Sequence, residues 1–246
     1  MVRLRSPRGC PWDRKQTHRS IKLDLIEECY EVVDAIESGD HTALREELGD
    51  LLLQIVFHAQ LASEQSRFDF DDVAAAIADK LVRRHPHVFG AKKIRTAEQV
   101  LVQWETLKRG EHGDRRSATD GIPKHLPALM KAHSVQKKAA RVGFDWPTQR
   151  GVIRKIEEEL KEVKQALRRG HRREIAEELG DLLFAVVNLT RWQKHSAEDL
   201  MNRAVQKFIR RFRSIEREVV WRGRRLEDCS LAELDALWEA QKKRNR

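Results

Sequence analysis

The sequence predicts an all-α chain made of two tandem copies of a four-helix unit, and three observations carry that prediction. Helix breakers are scarce, with 12 glycines and 6 prolines in 246 residues. Strand-type alternation of Val, Ile and Thr is absent, and apolar residues recur instead at helical spacing. The block EECYEVVDAIESGDHTALREELGDLL at 27–52 aligns without a gap on EELKEVKQALRRGHRREIAEELGDLL at 158–183, offset by 131 positions.

The duplication extends beyond that block. Gly9 and Trp12 answer to Gly143 and Trp146, Lys80 with Arg83 and Arg84 to Lys207 with Arg210 and Arg211, and QWETLKR at 103–109 to LWEAQKKR at 237–244. Two long repeats make a duplicated domain; a solenoid needs three or more short units. Breakers collect in GEHGDRRSATDGIPKHLP at 110–127. The expected layout is a first domain at 1–110, a linker at 111–127 and a second domain at 128–246.

Each copy then follows one plan. In the first, helices are expected at about 20–37, 42–65, 71–84 and 96–109. Ser20 is the candidate cap of the first, Asp69 or Asp71 of the third and Thr96 of the fourth. The second copy places them near 149–169, 171–195, 197–220 and 230–244, preceded by an extra helix at 128–142. The first copy has only residues 1–5 where that extra helix belongs. His85-Pro86-His87 lacks a third partner at ligand spacing and reads as a turn.

Composition excludes several classes. No run approaches the ~18 apolar residues of a membrane span. The start has no apolar core, so a secretory signal is not expected. Three scattered cysteines, Cys10, Cys29 and Cys229, argue against a disulfide framework, a zinc cage or a nucleophilic thiol. A cytoplasmic protein is expected. A net charge of +9 suits nucleic acid or small polyphosphates, but the positives spread along the chain with no DNA-reading motif beside them. Nucleic acid is therefore the weaker reading, held as a regulatory, non-catalytic alternative.

The carboxylates carry the chemistry. Glu28 and Glu31 are three residues apart, so they share a helix face within about 5–6 Å. Glu47 and Asp50 repeat the spacing on the next helix, and a short turn sets the two helices antiparallel. The second copy repeats all four as Glu159, Glu162, Glu178 and Asp181. On the second helix Glu47, Asp50, Gln54 and His58 fall in one stripe, while Leu48, Leu51, Leu52, Leu53, Ile55, Val56 and Phe57 surround it. A helix apolar on nearly all sides is expected to be buried. Carboxylates there repel one another unless cations compensate. An all-oxygen set selects Mg2+, Mn2+ or Ca2+ over zinc. Because Mg2+ bridges carboxylates to phosphates, the reading is a Mg2+–polyphosphate site, with Mn2+ as substitute. Paired glutamates are ordinarily a solvated face, but that reading does not explain a gapless repeat of four positions. A di-iron bundle uses Glu-x-x-His pairs, absent from these blocks.

The pattern EExxE, short turn, ExxD, in its EELGDLL context, resembles the MazG-like all-α nucleoside triphosphate pyrophosphohydrolases. GCPWDRKQTH (9–18), DKLVRRHPHVF (79–89), KKAARVGFDW (137–146) and KFIRRF (207–212) extend the likeness over nearly the whole chain. The resemblance implies hydrolysis of nucleoside triphosphates between the α and β phosphates. It also implies a homodimer with helices shared between chains. It puts Mg2+ on the two quartets, Lys155, Lys207 and Arg211 on the phosphates, and Trp238 on a base or sugar. Glu174 stands where the family pattern carries a basic residue, so Arg173 is the substitute. Glu159 or Glu178 takes the proton, and sequence does not choose between them. Asn188 either touches substrate or satisfies a buried polar position, and Trp238 is otherwise a core aromatic.

The copies are not equivalent. Asp24 stands for Lys155, Phe57 for Asn188, and the acidic IESGDHT (36–42) for the basic LRRGHRR (167–173). A triphosphate favours the basic copy, so the second is expected to be the main catalytic one.

Overall fold

The computed structural model describes residues 1–91, 94, 96–110 and 117–244. In chain order the α-helices are α1 (Val2–Arg5), α2 (Pro11–Lys15), α3 (Asp24–Ser38), α4 (His41–Ser63), α5 (Phe70–Arg84), α6 (Pro86–Phe89), α7 (Ala97–Gly110), α8 (Ala128–Arg141), α9 (Gln149–Arg169), α10 (Arg172–Trp192), α11 (Ala197–Trp221) and α12 (Leu231–Arg244). A 3-10 turn at Leu226–Asp228 precedes α12, and no strand occurs among the described residues. None of these helices is long and apolar enough to cross a membrane.

The chain divides into two units, Met1–Gly113 and Asp114–Arg246. Residues 111–116 of the expected linker lie outside the described residues, and 117–127 are turns and extended chain.

Each unit is built on a helical hairpin, α3 with α4 and α9 with α10. The connections are tight because a glycine takes a left-handed conformation after the first helix, Gly39 at φ 72° and Gly170 at φ 76°. Only glycine adopts that conformation without strain. Asp40 then caps α4, accepting hydrogen bonds from the backbone N–H groups of Thr42 and Ala43. In the second unit α8 and α11 pack against α10, and α12 lies along α11.

Most expected boundaries agree to within a few residues, and the differences have local causes. α3 begins at Asp24, not at 20, and Ser20 does not cap it. The Ser20 hydroxyl is spent in the preceding turn, where its one O–H has Gln16 Oε1 at 2.8 Å and the Thr17 carbonyl at 3.0 Å as acceptors. Asp69 caps α5 in a reciprocal box with Asp72. Thr96 accepts from the Gln99 backbone at 3.3 Å. His85-Pro86-His87 is not a plain turn, because Pro86 starts the one-turn helix α6.

The expectation that α4 is buried on nearly all sides is incorrect for the single chain. Gln54, Phe57, Ala59, Leu61 and Ala62 are buried, whereas Leu48, Leu52, Leu53 and Ile55 are exposed. One face of α4 packs inside its unit, and the apolar remainder has no cover among the described residues of that unit. On α10 Leu179, Leu183, Phe184 and Val186 are likewise exposed.

Candidate active site

The two acidic pairs of the second unit meet because the Gly170 turn folds α10 back along α9. Glu159, Glu178 and Asp181 offer carboxylate oxygens that all lie within 4.8 Å of one another. Glu159 is the most enclosed, only 5% exposed. Glu162, one turn further along α9, is coupled to them. Partial loss of water, then the charge of Glu159 and a hydrogen bond with it, then Glu178, raise its pKa above the usual carboxylate range.

Lys155 is the local counter-charge. Its ammonium lies 2.8 Å from Glu159 and 2.9 Å from Glu158. Those two hydrogen bonds, Glu159 first, raise its pKa.

A cleft of about 620 Å³ opens beside this cluster. Lys155, Glu159 and Asp181 line it, together with Asn188, Gln136, Asp145 and Arg191. Phe144 and Trp146 add apolar surface. Trp146 lies close against the start of α9, where a Cβ on Gly151 would come within 3.0 Å of the indole. The cleft thus joins an anionic cluster with its Lys155 counter-charge to polar amides, the Asp145–Arg191 pair and aromatic surface. A molecule with a charged polyphosphate end and a planar, polar other end matches that distribution.

The other expected residues lie elsewhere in the unit. Lys207 and Arg211, on α11, line a separate basic groove with Arg210, Arg213, Ser214 and Arg217. Trp238 packs on Phe208, ring centres 5.0 Å apart, with the Arg211 guanidinium 5.7 Å from its ring. Arg173 projects into solvent near the start of α10, 3.4 Å from Glu177. Glu174 pairs with Arg169 across the Gly170 turn.

Asp145, Arg191, Trp192 and Gln136 were not singled out from sequence. Asp145 accepts from Arg191 at 2.5 Å and from the Trp192 indole at 3.2 Å. Arg191 also donates to Asn188. Gln136 donates to the Phe184 carbonyl at 2.7 Å. The available signal was the comparison of copies, because Arg191 and Trp192 correspond to Gln60 and Leu61.

In the first unit Glu28, Glu47 and Asp50 likewise bring carboxylate oxygens within 4.8 Å of one another. Desolvation, then Glu31 and Asp50, raise the pKa values of both Glu28 and Glu47. Beyond the carboxylates the resemblance stops. Phe57, in the place of Asn188, is 4% exposed and packs with Ile21 and Leu61, with Met1 against them. The Arg5 guanidinium lies 5.5 Å from the Phe57 ring, held by Glu64 at 2.7 Å. His58, in line with the acidic stripe, stacks on His18 instead of reaching the carboxylates, with Nδ1 atoms 2.8 Å apart.

A tandem all-α chain that brings carboxylates together on facing helices belongs, as a class, with helical proteins whose acidic clusters could hold a metal ion. Comparison with known proteins makes this specific. The model of the MazG nucleotide pyrophosphohydrolase domain matches twice, at residues 16–89 and 148–215, and the chain belongs to that family. It is 47% identical to a nucleoside triphosphate pyrophosphohydrolase of Escherichia coli (strain K12), over 99% of this chain and 94% of that protein. It is 46% identical to the nucleoside triphosphate pyrophosphohydrolase/pyrophosphatase MazG of Thermotoga maritima, over 98% of this chain and 92% of that protein. A Bacillus subtilis protein named YabN is 44% identical over 99% of this chain and 50% of its own length.

Proposed function

We propose that the chain hydrolyses nucleoside triphosphates to the monophosphate and pyrophosphate, in the second copy, with Mg2+ as the resident cation and Mn2+ as its substitute. The observation that carries this reading is the single cleft that runs from Lys155, Glu159 and Asp181 to Asn188. The donor set fits the cation. Three of the four carboxylates bring oxygens within 4.8 Å of one another. Lost water together with the charges of Glu159 and Glu178 raises the pKa of the fourth, Glu162, a crowding of negative charge that a hard divalent ion relieves. Glu159, Glu162, Glu178 and Asp181 are the ligands, and the bound ion supplies Lewis acidity toward the phosphate oxygens.

The chain's own groups do the rest. Water attacks the α phosphorus, the bond from that phosphorus to the bridging oxygen breaks, and pyrophosphate leaves with the bond's electron pair. Glu159 or Glu178 takes the proton of the attacking water. Lys155 offsets phosphate charge from the floor of the cleft, and Asn188 contacts the nucleoside. Lys207, Arg211, Arg173 and Trp238 are assigned to phosphate and base on family grounds. Their separation from the cleft within one chain is consistent with their acting where two chains meet.

A homodimer is part of the proposal. The uncovered apolar residues of α4 and α10 supply the chemistry of such an interface. The first domain, 1–110, binds the cation through Glu28, Glu31, Glu47 and Asp50 without turning over nucleotide, because Phe57 occupies the nucleoside position. The linker is 111–127 and the catalytic domain 128–246. A cytoplasmic location is part of the same reading.

Purified protein with a panel of ribo- and deoxyribonucleoside triphosphates tests this. Monophosphate and pyrophosphate in equal amounts, dependent on Mg2+, are expected. Release of orthophosphate, or turnover unaffected by a chelator, contradicts the reading.

A further inference from the structure

Asp145 sits in the loop between α8 and α9, and three donors converge on its Oδ1. They are Arg191 Nη2 at 2.5 Å, Trp192 Nε1 at 3.2 Å and the Trp146 backbone N–H at 2.8 Å. The same guanidinium turns its Nε toward α10 itself and donates to Asn188 Oδ1 at 2.9 Å. Asp145, Asn188 and Arg191 all line the cleft, and the Arg191 side chain is only 14% exposed.

The consequence concerns the Asn188 amide. An amide has an acceptor end and a donor end that swap on rotation by a half turn. Arg191 occupies the acceptor end, so the –NH2 end is the one left for a ligand. We propose that Arg191, clamped by Asp145, is a positioning residue that holds Asn188 with its N–H donors available to the nucleotide.

Geometry indicates which part of the nucleotide is read. Asn188 lies seven residues beyond Asp181 on α10, about 10.5 Å along the helix axis. That is too far for a phosphate held at the carboxylates and fits the nucleoside. The recognised chemistry is a hydrogen-bond acceptor on the nucleoside, from the sugar or from the base. Every base carries such an acceptor in pyrimidine O2 or purine N3, so a donor here tolerates any of them.

The comparison of copies supports the unit as a unit. With Gly9 and Trp12 matched to Gly143 and Trp146, Asp145 corresponds to Pro11, and Asn188, Arg191 and Trp192 correspond to Phe57, Gln60 and Leu61. All four polar partners are replaced together in the copy whose Phe57 is packed into the core. A staple needed only to hold a helical hairpin would serve both copies equally.

The inference rests on Asn188 contacting substrate, and the test separates the two. Full-length protein with Mg2+ is titrated calorimetrically with α,β-methylene ATP and with inorganic tripolyphosphate, neither reading depending on turnover. Asn188→Leu is expected to weaken the nucleotide about tenfold, the worth of one substrate hydrogen bond, and to leave tripolyphosphate within twofold. Arg191→Met is expected to do the same, and the double variant to be no weaker than either single one, because Arg191 acts through Asn188. Arg191→Lys keeps a cation for Asp145 but lacks the second donor arm. It is expected to restore thermal stability without restoring nucleotide affinity, and it carries the test if Arg191→Met does not fold. Substituting 2′-deoxy α,β-methylene ATP distinguishes a sugar from a base acceptor. If Asn188→Leu leaves affinity unchanged, the substrate role of Asn188 is wrong and the proposal falls with it. If Asn188→Leu weakens the nucleotide but Arg191→Lys binds as wild type, or the two effects add, Asn188 keeps its role and the positioning role of Arg191 is overturned. Equal weakening of tripolyphosphate in Arg191→Lys overturns it also.

Discussion

The Lys155 ammonium lies 2.8 Å from Glu159, one helical turn further along α9. It is the cation beside an otherwise acidic cluster, and Asp24 stands in its place in the first copy. A lysine there opposes a metal ion and attracts a triphosphate. Lys155→Met should therefore tighten Mg2+ binding without nucleotide by about two- to threefold, the pair being partly screened by solvent. The same variant should raise KM for ATP about tenfold. Calorimetry and steady-state kinetics check the two halves, and an unchanged KM removes Lys155 from the phosphate site.

Phe57 fills in the first unit the position that Asn188 opens in the second. Deleting a buried aromatic side chain costs about 3–5 kcal/mol. Phe57→Ala should lose stability of that order in urea unfolding while kcat stays within twofold of wild type. A variant of normal stability and depressed kcat places the chemistry in the wrong copy.

Both carboxylate clusters are self-repelling without a cation. Ligand binding to the folded state alone stabilises it by about 2.7 kcal/mol at a hundredfold excess over Kd. Chelator-treated protein should show a rise in Tm on adding Mg2+ or Mn2+, reduced in Asp181→Asn and again in Asp50→Asn. A shift insensitive to Asp181→Asn denies the second cluster its ion.

Glu233 anchors the start of α12, the helix that carries Trp238. It accepts from Arg224 at 2.8 Å and from the Ser230 backbone at 2.8 Å, and these bonds hold its pKa at about 2. A depressed carboxylate stabilises the fold above its unfolded pKa, near 4.5, and that contribution is lost as pH falls through the folded value. Glu233→Gln should be less stable than wild type at pH 6, with the difference shrinking between about pH 4.5 and pH 2. A difference constant over that range means that Arg224 and Ser230 do not stabilise the charged form.

The helices and the carboxylate quartets were legible because both are local. Periodicity marks a helix, and a three-residue step with a glycine turn brings Glu159 to Glu178 without long-range information. Ser20 misled because a serine before an apolar run has several local partners, and here the 16–20 turn took its hydroxyl. Leu48, Leu52 and Leu53 misled because apolarity states that a residue needs cover, not that its own chain provides it. The Asp145, Arg191 and Asn188 network joins residues 46 apart in sequence, with no period to announce it. It emerges only when each copy is read as a control for the other.

The most direct test of one catalytic copy in a duplicated chain compares Glu178→Ala with Glu47→Ala. Monophosphate and pyrophosphate formed from ATP and Mg2+ are quantified for both. Glu178→Ala should lose turnover by at least about 10²-fold, as removal of a ligand from a catalytic metal does, while Glu47→Ala keeps kcat near wild type. Loss of product in Glu47→Ala with normal turnover in Glu178→Ala contradicts the account.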